Sequence, residues 1–321
     1  MSAVGRSFGT NNPSRDGYGA VFGSRRPAPG RRPLFVQKAD AHPRSTMGSM
    51  SHMEPPALHV TERAGTGPTI LLIHGLTASA ASWAPVIDAL DGHVCVAPDL
   101  LGFGRSPKPE TSAYDLGAHC DALEPIVAGT KPACIAGHSM GAVIALELLR
   151  RHRGVPVGVL VSPAVFASRN EARKAMTNAP AMHRLSLRSE WGARLMCNTM
   201  CAVRPVLRPI VPLFARRFPP DVAQAGLDHT WTSYSRSMAR VVVAGLVPGL
   251  MDEVGARVTV VHGREDTTVP LSLVAPLANR AKRFEVITGD HQALLTNPGA
   301  VAAVILRAIK DGPPAARSSS R

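Results

Sequence analysis

The sequence predicts an α/β fold in which a mostly parallel sheet is flanked by helices and interrupted by a helical insertion. Short runs rich in Val, Ile and Leu alternate with helical stretches, and many of these runs end at Gly, His, Pro or Asp. Strands that are apolar throughout and are separated by helices are typical of a parallel sheet covered on both faces. The chain has 321 residues, of which 45% are apolar, so it can bury a large core.

The predicted strands follow one another along the chain, starting at about residue 57. They are Thr69–Ile73, Val94–Ala97, Ala133–Ala136, Val157–Val161, Val258–Val261 and Phe284–Ile287. The clearest helical patterns are Ala142–Arg153 and Ala300–Lys310. We therefore assign the α/β core to residues 54–163 and 239–310.

Residues 164–238 interrupt this alternation. The segment is rich in arginine, helical in pattern and divided by Pro205, Pro209, Pro212, Pro219 and Pro220. An insertion that follows a strand of a parallel sheet extends from the carboxyl ends of the strands, where ligands bind. We expect a lid of several short helices.

The two ends of the chain differ from the rest in composition. Residues 1–53 contain eight Lys or Arg and two Asp or Glu, a net charge of +6, and show no apolar periodicity. We expect this N-terminal tail and the C-terminal residues 311–321 to be disordered. The N-terminal composition is similar to that of an organelle transit peptide but lacks a convincing amphipathic helix or signal-type apolar run. Cytoplasm is therefore the expected compartment, with peripheral membrane contact as the alternative.

Charge and cysteine usage exclude several classes of protein. The net charge of +13 is concentrated in the N-terminal tail and in residues 164–238, with no repeated basic module, and only 4% of residues are aromatic. We therefore predict no nucleic-acid partner. The five scattered cysteines indicate a reducing compartment rather than a disulfide framework or a zinc site. Neither a phosphate-binding Gly-x-x-x-x-Gly-Lys motif nor a cluster of metal ligands is present, so no cofactor is predicted.

The strongest motif is the pentapeptide Gly137-His138-Ser139-Met140-Gly141, which follows a predicted strand and precedes a predicted helix. A serine hydroxyl is a poor nucleophile unless it is held exposed beside a base. A sharp turn between strand and helix exposes it, and a glycine on either side permits the turn. We predict that Ser139 is a nucleophile at this elbow, and that the Met140 amide faces the developing oxyanion.

A second turn could supply the other oxyanion donor. His74-Gly75-Leu76 follows the strand Thr69–Ile73, and the glycine allows a close approach of the backbone. We predict that the Leu76 amide acts with the Met140 amide. His74 either orders this loop by hydrogen bonding or, as the less favoured alternative, acts as a catalytic base.

The acid and the base are expected after the last two strands. Asp266 follows Val258–Val261, with the neighbouring Glu265 as a rival, and His291 follows Phe284–Ile287. The order Ser, Asp, His along the chain is that of a known class of hydrolytic triad.

These elements together resemble the α/β-hydrolase superfamily, in its lid-bearing branch of serine esterases, lipases and C–C bond hydrolases. The resemblance covers about residues 57–310 and includes Asp99–Ser106, which matches a structural loop of that family. Dehalogenases and epoxide hydrolases of the family carry an aspartate at the elbow, so Ser139 disfavours those reactions. Ala142 and Asp290 depart from the pattern, because many relatives have glycine at these positions.

The resemblance and the residues imply hydrolysis of a carboxylic ester, a thioester or an acylglycerol through an acyl-enzyme on Ser139. His291 is then the base, Asp266 orients it, and the substrate is a small ester or acyl compound. Rival functions are acyl transfer to another acceptor, C–C bond cleavage or perhydrolysis on the same residues, and ligand binding without catalysis. The oligomeric state is left open.

The basic insertion has two interpretations. Its arginines could form a solvated face over a hydrophobic acyl pocket, which is the favoured one. They could instead bind an anionic membrane or an anionic acyl donor, with Val203–Phe218 as the candidate stretch because it mixes basic and apolar residues around prolines.

Overall fold

The computed structural model describes residues 56–177, 181–216 and 218–312, and a seven-stranded sheet lies at the centre of this part of the chain. Its strands are β1 Val60–Arg63, β2 Thr69–Ile73, β3 Val94–Pro98, β4 Cys134–His138, β5 Val157–Val161, β6 Val258–Gly263 and β7 Arg283–Ile287. The strand order is β1-β3-β2-β4-β5-β6-β7, with β1 antiparallel to β3 and every other pair parallel. This confirms the predicted α/β fold.

Helices follow most of the strands. They are α1 Ala84–Ala89, α2 Leu116–Thr130, α3 Met140–Arg151, α4 Arg169–Ala175, α5 Ala181–Arg188, α6 Glu190–Ala202, α7 Arg204–Phe214, α8 Pro220–Ala225, α9 Trp231–Ser237, α10 Val247–Val254, α11 Leu271–Val274, α12 Ala293–Thr296 and α13 Pro298–Lys310. Short 3-10 turns lie at Ala80–Trp83, Gly255–Arg257 and Ala275–Asn279, and a π-helical turn, Met238–Val242, continues from α9. Side-chain caps start several helices, as at α2, where the Asp115 carboxylate accepts the Ala118 amide at 2.9 Å.

The sheet separates two apolar layers. Successive residues of a strand point to opposite faces, so Leu71 and Ile73 pack into one layer with α2, α3 and α10. Ile70 and Leu72 pack into the other layer, against α1 and α13. Burial of both faces explains why interior strands such as β2 and β5 are almost entirely apolar.

The predicted strands lie within two residues of the observed ones, whereas β1 was not predicted. Its sequence, Val-Thr-Glu-Arg, contains two charged residues, and all four residues are only half-buried because the strand lies at the sheet edge. The helix after β4 begins at Met140, two residues earlier than predicted, since the turn at Ser139 leads directly into it.

Helices α4 to α9 lie between β5 and β6, where the insertion was predicted. Their contacts with the core include a hydrogen bond of 3.0 Å between His119 Nε2 and Ser237 Oγ. Arg236 also donates to the backbone carbonyls of Glu110 and Ser112. No helix in residues 56–177, 181–216 or 218–312 is long and apolar enough to cross a bilayer.

Most residues of the two tails that were predicted to be disordered lie outside the described part of the chain. Residues 1–55 and 313–321 lie outside the described residues, so the expectations for 1–53 and for most of 311–321 stay predictions.

Candidate active site

Ser139 lies in a sharp turn between β4 and α3. Its backbone adopts φ +54° and ψ −115°, a left-handed conformation that is uncommon for any residue but glycine. The Ser139 amide donates to the Val161 carbonyl at 3.0 Å, and the Ser139 carbonyl accepts the Ala142 and Ala164 amides at 3.1 and 3.3 Å. These three bonds keep the backbone in the strained conformation, and the side chain remains partly exposed.

The two glycines of the motif are required by close backbone contacts. A Cβ at position 137 would lie 2.2 Å from the Gly141 carbonyl oxygen, and one at position 141 would lie 2.3 Å from the Ile73 oxygen. Any larger residue at Gly137 or Gly141 would therefore push β2, β4 and α3 apart.

The loops after β6 and β7 bring an aspartate and a histidine to Ser139. His291 Nδ1 lies 2.8 Å from Asp266 Oδ2, and His291 Nε2 lies 3.1 Å from Ser139 Oγ. A carboxylate can only accept, so Nδ1 carries the proton and Nε2 accepts the serine O–H. The three side chains thus form one hydrogen-bonded chain in which the imidazole is oriented as a base toward the hydroxyl.

The Asp266 carboxylate is buried and held in its ionised form. Its Oδ1 accepts the amides of Thr268 at 2.9 Å and Val269 at 2.8 Å. Burial alone would raise the Asp266 pKa, but hydrogen bonding and the charge of His291, the Val269 amide and nearby His262 outweigh it. The pKa of Asp266 therefore lies below its usual value.

The rival acid, Glu265, is directed elsewhere. Its side chain is exposed, and its Oε2 accepts the Gly289 amide at 2.6 Å. Glu265 thus ties the β6 loop to the β7 loop without contacting the His291 ring, and Asp266 is the carboxylate that meets the imidazole.

Two buried histidines hold the hydrogen-bonded side chains of Ser139, His291 and Asp266 in place. The sequence alone did not indicate this role for them. His138 Nε2 donates to the His291 carbonyl at 2.8 Å, and the two rings lie 5.1 Å apart. His262 Nε2 donates to the Val269 carbonyl at 2.9 Å, which shapes the turn around Asp266. Burial, with the His291 charge second, lowers the His138 pKa to about 3. His138 is therefore neutral at pH 7.

The two amides predicted to bind an oxyanion lie on either side of Ser139. Met140 is the first residue of α3, and Leu76 follows Gly75. Gly75 lies so close to the elbow that a Cβ there would be 3.2 Å from Ser139 Cβ. Within residues 56–177, 181–216 and 218–312, neither the Leu76 nor the Met140 amide donates a hydrogen bond.

His74 organises this loop and does not contact Ser139. Its Nδ1 donates to the Gly75 carbonyl at 2.7 Å, and its Nε2 accepts the Leu100 amide at 2.8 Å. The adjacent Asp99 carboxylate accepts the Ala80 amide at 2.7 Å and the Arg105 amide at 2.8 Å. These bonds fix the segment Asp99–Ser106 against the loop that contains Leu76.

A polar cluster of the insertion joins helices α5 and α9. His183 Nδ1 lies 2.9 Å from the Tyr234 hydroxyl, which lies 2.7 Å from Ser186 Oγ. Burial lowers the His183 pKa to about 4, and the His291 charge adds to this effect, so His183 faces the same part of the molecule as His291. No sequence signal pairs these residues, because they are about fifty positions apart and share no motif.

The remaining candidates for metal or redox chemistry do not assemble into a site. Among the described residues, no group of three His, Cys, Asp or Glu side chains is arranged to hold a metal ion. The five cysteines are free thiols. Four of them are buried and Cys201 is half-buried.

A family profile described as "Alpha/beta hydrolase family" matches residues 70–304. This range is well over half of the chain and contains Ser139, Asp266 and His291. The chain belongs to the alpha/beta hydrolase family. Ser139, Asp266 and His291 lie after the carboxyl ends of β4, β6 and β7.

Relatives of this chain include proteins named as lipid-cleaving enzymes. "Probable lysophospholipase BODYGUARD 3" of Arabidopsis thaliana is 26% identical over 259 residues, which are 71% of this chain and 52% of that protein. "Lipase LipV" of Mycobacterium tuberculosis (strain ATCC 25618 / H37Rv) is 34% identical over 121 residues, 36% of this chain and 46% of LipV. The chain spans about half the length of the first curated relatives it matches.

Solved structures of other hydrolases have the same fold. N-acyl homoserine lactonase AidH, in complex with N-butanoyl homoserine, has a TM-score of 0.61 at 20% identity, covering 81% of this chain and 95% of the AidH chain. At this identity the likeness shows the fold alone.

Proposed function

We propose that this protein is a serine hydrolase that cleaves a carboxylic ester, a thioester or an acylglycerol through an acyl-enzyme on Ser139. The observation that carries the proposal is the continuous hydrogen-bonded chain from Ser139 through His291 to Asp266. The names of the relatives, a probable lysophospholipase and a lipase, support an ester as the substrate.

Acylation begins when Ser139 Oγ attacks the substrate carbonyl carbon and His291 Nε2 accepts the hydroxyl proton. Asp266 stabilises the imidazolium that forms, and its lowered pKa keeps it ionised for this role. The carbonyl oxygen becomes an oxyanion and accepts hydrogen bonds from the Leu76 and Met140 amides. His291 then donates its proton to the leaving alkoxide or thiolate, which departs and leaves the acyl group on Ser139.

Deacylation repeats these steps with water. His291 Nε2 removes a proton from the water as it attacks the acyl carbonyl, and the same two amides bind the second oxyanion. The tetrahedral intermediate collapses, the Ser139 oxygen regains the proton from His291, and the carboxylic acid leaves. Each amide donor contributes about 3 kcal/mol to lowering the barrier in enzymes of this type.

The insertion is proposed to act as a lid that shapes the acyl pocket. It leaves the sheet after β5, and its His183–Tyr234–Ser186 cluster lies within electrostatic reach of His291. Most of its inward side chains are apolar, among them the buried Leu187 and Ala193. An acyl chain is the part of an ester that such a surface would accommodate.

A time course with p-nitrophenyl esters of increasing chain length tests this function. We expect the wild type to release nitrophenolate and Ser139→Ala to lose activity by about ten-thousandfold or more. The chain length with the highest kcat/KM reports the depth of the acyl pocket. If Ser139→Ala retained the wild-type rate on the preferred ester, the proposed nucleophile would be wrong.

A further inference from the structure

Exposed apolar side chains are concentrated in one part of the insertion. Every large apolar side chain that is exposed among the described residues lies in α6, in α7 or at the residue between them. They are Trp191, Leu195, Val203, Val206, Ile210, Leu213 and Phe214, and we call this set the α6–α7 surface. Phe214 is 86% exposed and Trp191 76% exposed. Such a concentration of exposed apolar side chains indicates an interaction site.

Two arginines of helix α7 bond to neighbouring parts of the protein. Arg204 donates to the His229 carbonyl at 2.6 Å, and Arg208 lies 3.3 Å from Asp228 in an ion pair. The apolar residues Val206, Ile210 and Leu213 recur at intervals of four and three, so they share the opposite face. None of the eleven residues of α7 is buried. Leu207 and Val211 are half-buried, whereas Val206, Ile210, Leu213 and Phe214 are exposed. An ordinary amphipathic helix packs such apolar side chains onto the core.

Helix α6 extends the same surface. Trp191 and Leu195 are one helical turn apart and exposed, whereas Ala193 and Cys197 are buried against the protein. Val203 lies at the junction with α7 and is 42% exposed. The two consecutive helices therefore both expose large apolar side chains.

Arginines surround this face. Arg188 and Arg194 are exposed, and no acidic side chain among the described residues pairs with either of them. Arg216 is exposed at the end beyond Phe214, and its Nε donates only to the Leu213 carbonyl at 3.0 Å. Arg188, Arg194 and Arg216 face one nearby acid of the same stretch, Glu190, a net charge of +2. Arg204 and Arg208 are not counted, because they bond to His229 and Asp228. The surface thus combines projecting apolar side chains with excess positive charge.

We propose that the α6–α7 surface docks onto an anionic lipid bilayer, with its apolar side chains inserted at the level of the headgroups. Helices that lie in a membrane interface have this composition, because the apolar face enters the acyl boundary and the basic rim meets lipid phosphate. Each basic residue near an anionic leaflet adds about 1 kcal/mol of attraction. Docking is independent of the proposed ester hydrolysis, since it uses none of the residues around Ser139.

Three other partners could cover this surface, namely the N-terminal tail, a second copy of the chain or an acidic protein, and each is less suited to it than a bilayer. The first 53 residues carry a net charge of +6, so their own basic side chains would be repelled by the arginines. A second copy related by twofold symmetry would bring the same arginines face to face. An acidic protein would satisfy the charge, but the apolar side chains project from a convex helix and do not line a groove. A deformable bilayer accommodates such a projecting face.

Vesicle flotation with the full chain tests the proposal. The vesicles are phosphatidylcholine, either pure or mixed with an equal amount of phosphatidylglycerol, at low salt. We expect the protein to float with the anionic vesicles and to be released at high salt. Leu213→Ser/Phe214→Ser is expected to weaken partitioning about a hundredfold, and Arg188→Gln/Arg194→Gln about thirtyfold. The matched control, Lys131→Gln/Lys310→Gln, removes the same charge from the opposite end of the sheet and should bind like the wild type.

Thermal unfolding midpoints distinguish a loss of docking from misfolding of a variant. All four substituted positions are exposed, so the two docking variants should unfold at the same temperature as the wild type.

The proposal is overturned if the wild type stays unbound to anionic vesicles at low salt, or if the Leu213→Ser/Phe214→Ser variant binds as tightly as the wild type. Sedimentation showing a dimer that this variant abolishes would assign the surface to a second copy. Capture of an acidic protein without vesicle binding would assign it to a protein partner. The flotation result needs no catalytic activity, so its failure would leave the proposed function untouched.

Discussion

At the scale of single residues, Ser139 is held in a conformation that costs a non-glycine residue about 1–3 kcal/mol. Hydrogen bonds to Val161, Ala142 and Ala164 offset this cost and direct the hydroxyl toward His291. Strain of this kind persists where the surrounding structure determines it, and it is concentrated at functional positions. The position of the Ser139 hydroxyl is therefore set before any substrate binds.

The neighbouring acids Glu265 and Asp266 give the sharpest test at this scale. Asp266→Asn is expected to lower kcat by about 10⁴-fold, because the carboxamide can donate to Nδ1 and thereby reverse the tautomer that His291 needs. Glu265→Gln removes a charge one residue away, but Glu265 bonds the Gly289 amide and not the imidazole. We expect it to stay within severalfold of the wild-type kcat on the preferred nitrophenyl ester. Equal losses in the two variants would contradict the assignment of Asp266.

The sequence alone could not separate these two acids. Both follow β6, and the difference between them depends on the turn that places the Thr268 and Val269 amides around one carboxylate. The order of Ser139, Asp266 and His291 along the chain was readable, since each follows a predicted strand. Their contact depends on three loops that are distant in sequence.

At the scale of elements, the β4–α3 turn shows how closely the backbone is packed at the elbow. Gly141→Ala is expected to abolish activity and to lower the free energy of unfolding by several kcal/mol, because its Cβ would lie 2.3 Å from the Ile73 oxygen. The matched control is Gly299→Ala in α13, where a Cβ would meet nothing within 4 Å. That substitution should raise the free energy of unfolding by about 0.5–1 kcal/mol. Urea unfolding of both variants checks the prediction, and a stable, active Gly141→Ala protein would refute it.

The elements that were hardest to predict are those at the margins of the core. The interior strands were predicted to within two residues because they are apolar along their whole length. Strand β1 was not predicted, because its four residues are half-buried and two of them are charged. The insertion was predicted as helical, with Val203–Phe218 as a candidate for membrane contact, but the side of α7 that faces the protein could not be predicted. The periodicity of its side chains is that of a packed helix, and only the structure shows which side faces the protein.

At the scale of the whole molecule, six buried or half-buried histidines are held in their neutral form. They are His74, His119, His138, His183, His229 and His262, and burial is the largest cause of the lowered pKa at each. The values for His119 and His229 fall to about 4, against an ordinary 6.5. Between about pH 4 and pH 6.5 the folded chain therefore binds fewer protons than the unfolded chain.

Stability is consequently expected to fall as the solution is acidified. The contribution of these histidines is fully present above pH 6.5 and is lost as the pH falls toward about 4, because only the unfolded chain takes up protons there. Each such proton lowers the free energy of unfolding by about 1.4 kcal/mol per pH unit. Urea unfolding at pH 7.5, 6.0 and 5.0 measures this slope, and His119→Asn should reduce it by about one proton. A free energy of unfolding that stays constant from pH 7.5 to 5.0 would contradict the burial of neutral histidines.

The central claim is that Ser139 is a nucleophile activated by His291, and covalent labelling tests it most directly. The wild type, Ser139→Ala and His291→Ala are each incubated with a fluorophosphonate, and the adduct is located by intact-protein mass spectrometry and peptide mapping. Attack of the serine oxygen on phosphorus expels fluoride, so we predict one phosphonyl group on Ser139 of the wild type. Labelling should be absent in Ser139→Ala and at least a hundredfold slower in His291→Ala. A folded wild type that remains unlabelled, or an adduct on another residue that persists in Ser139→Ala, would contradict the account.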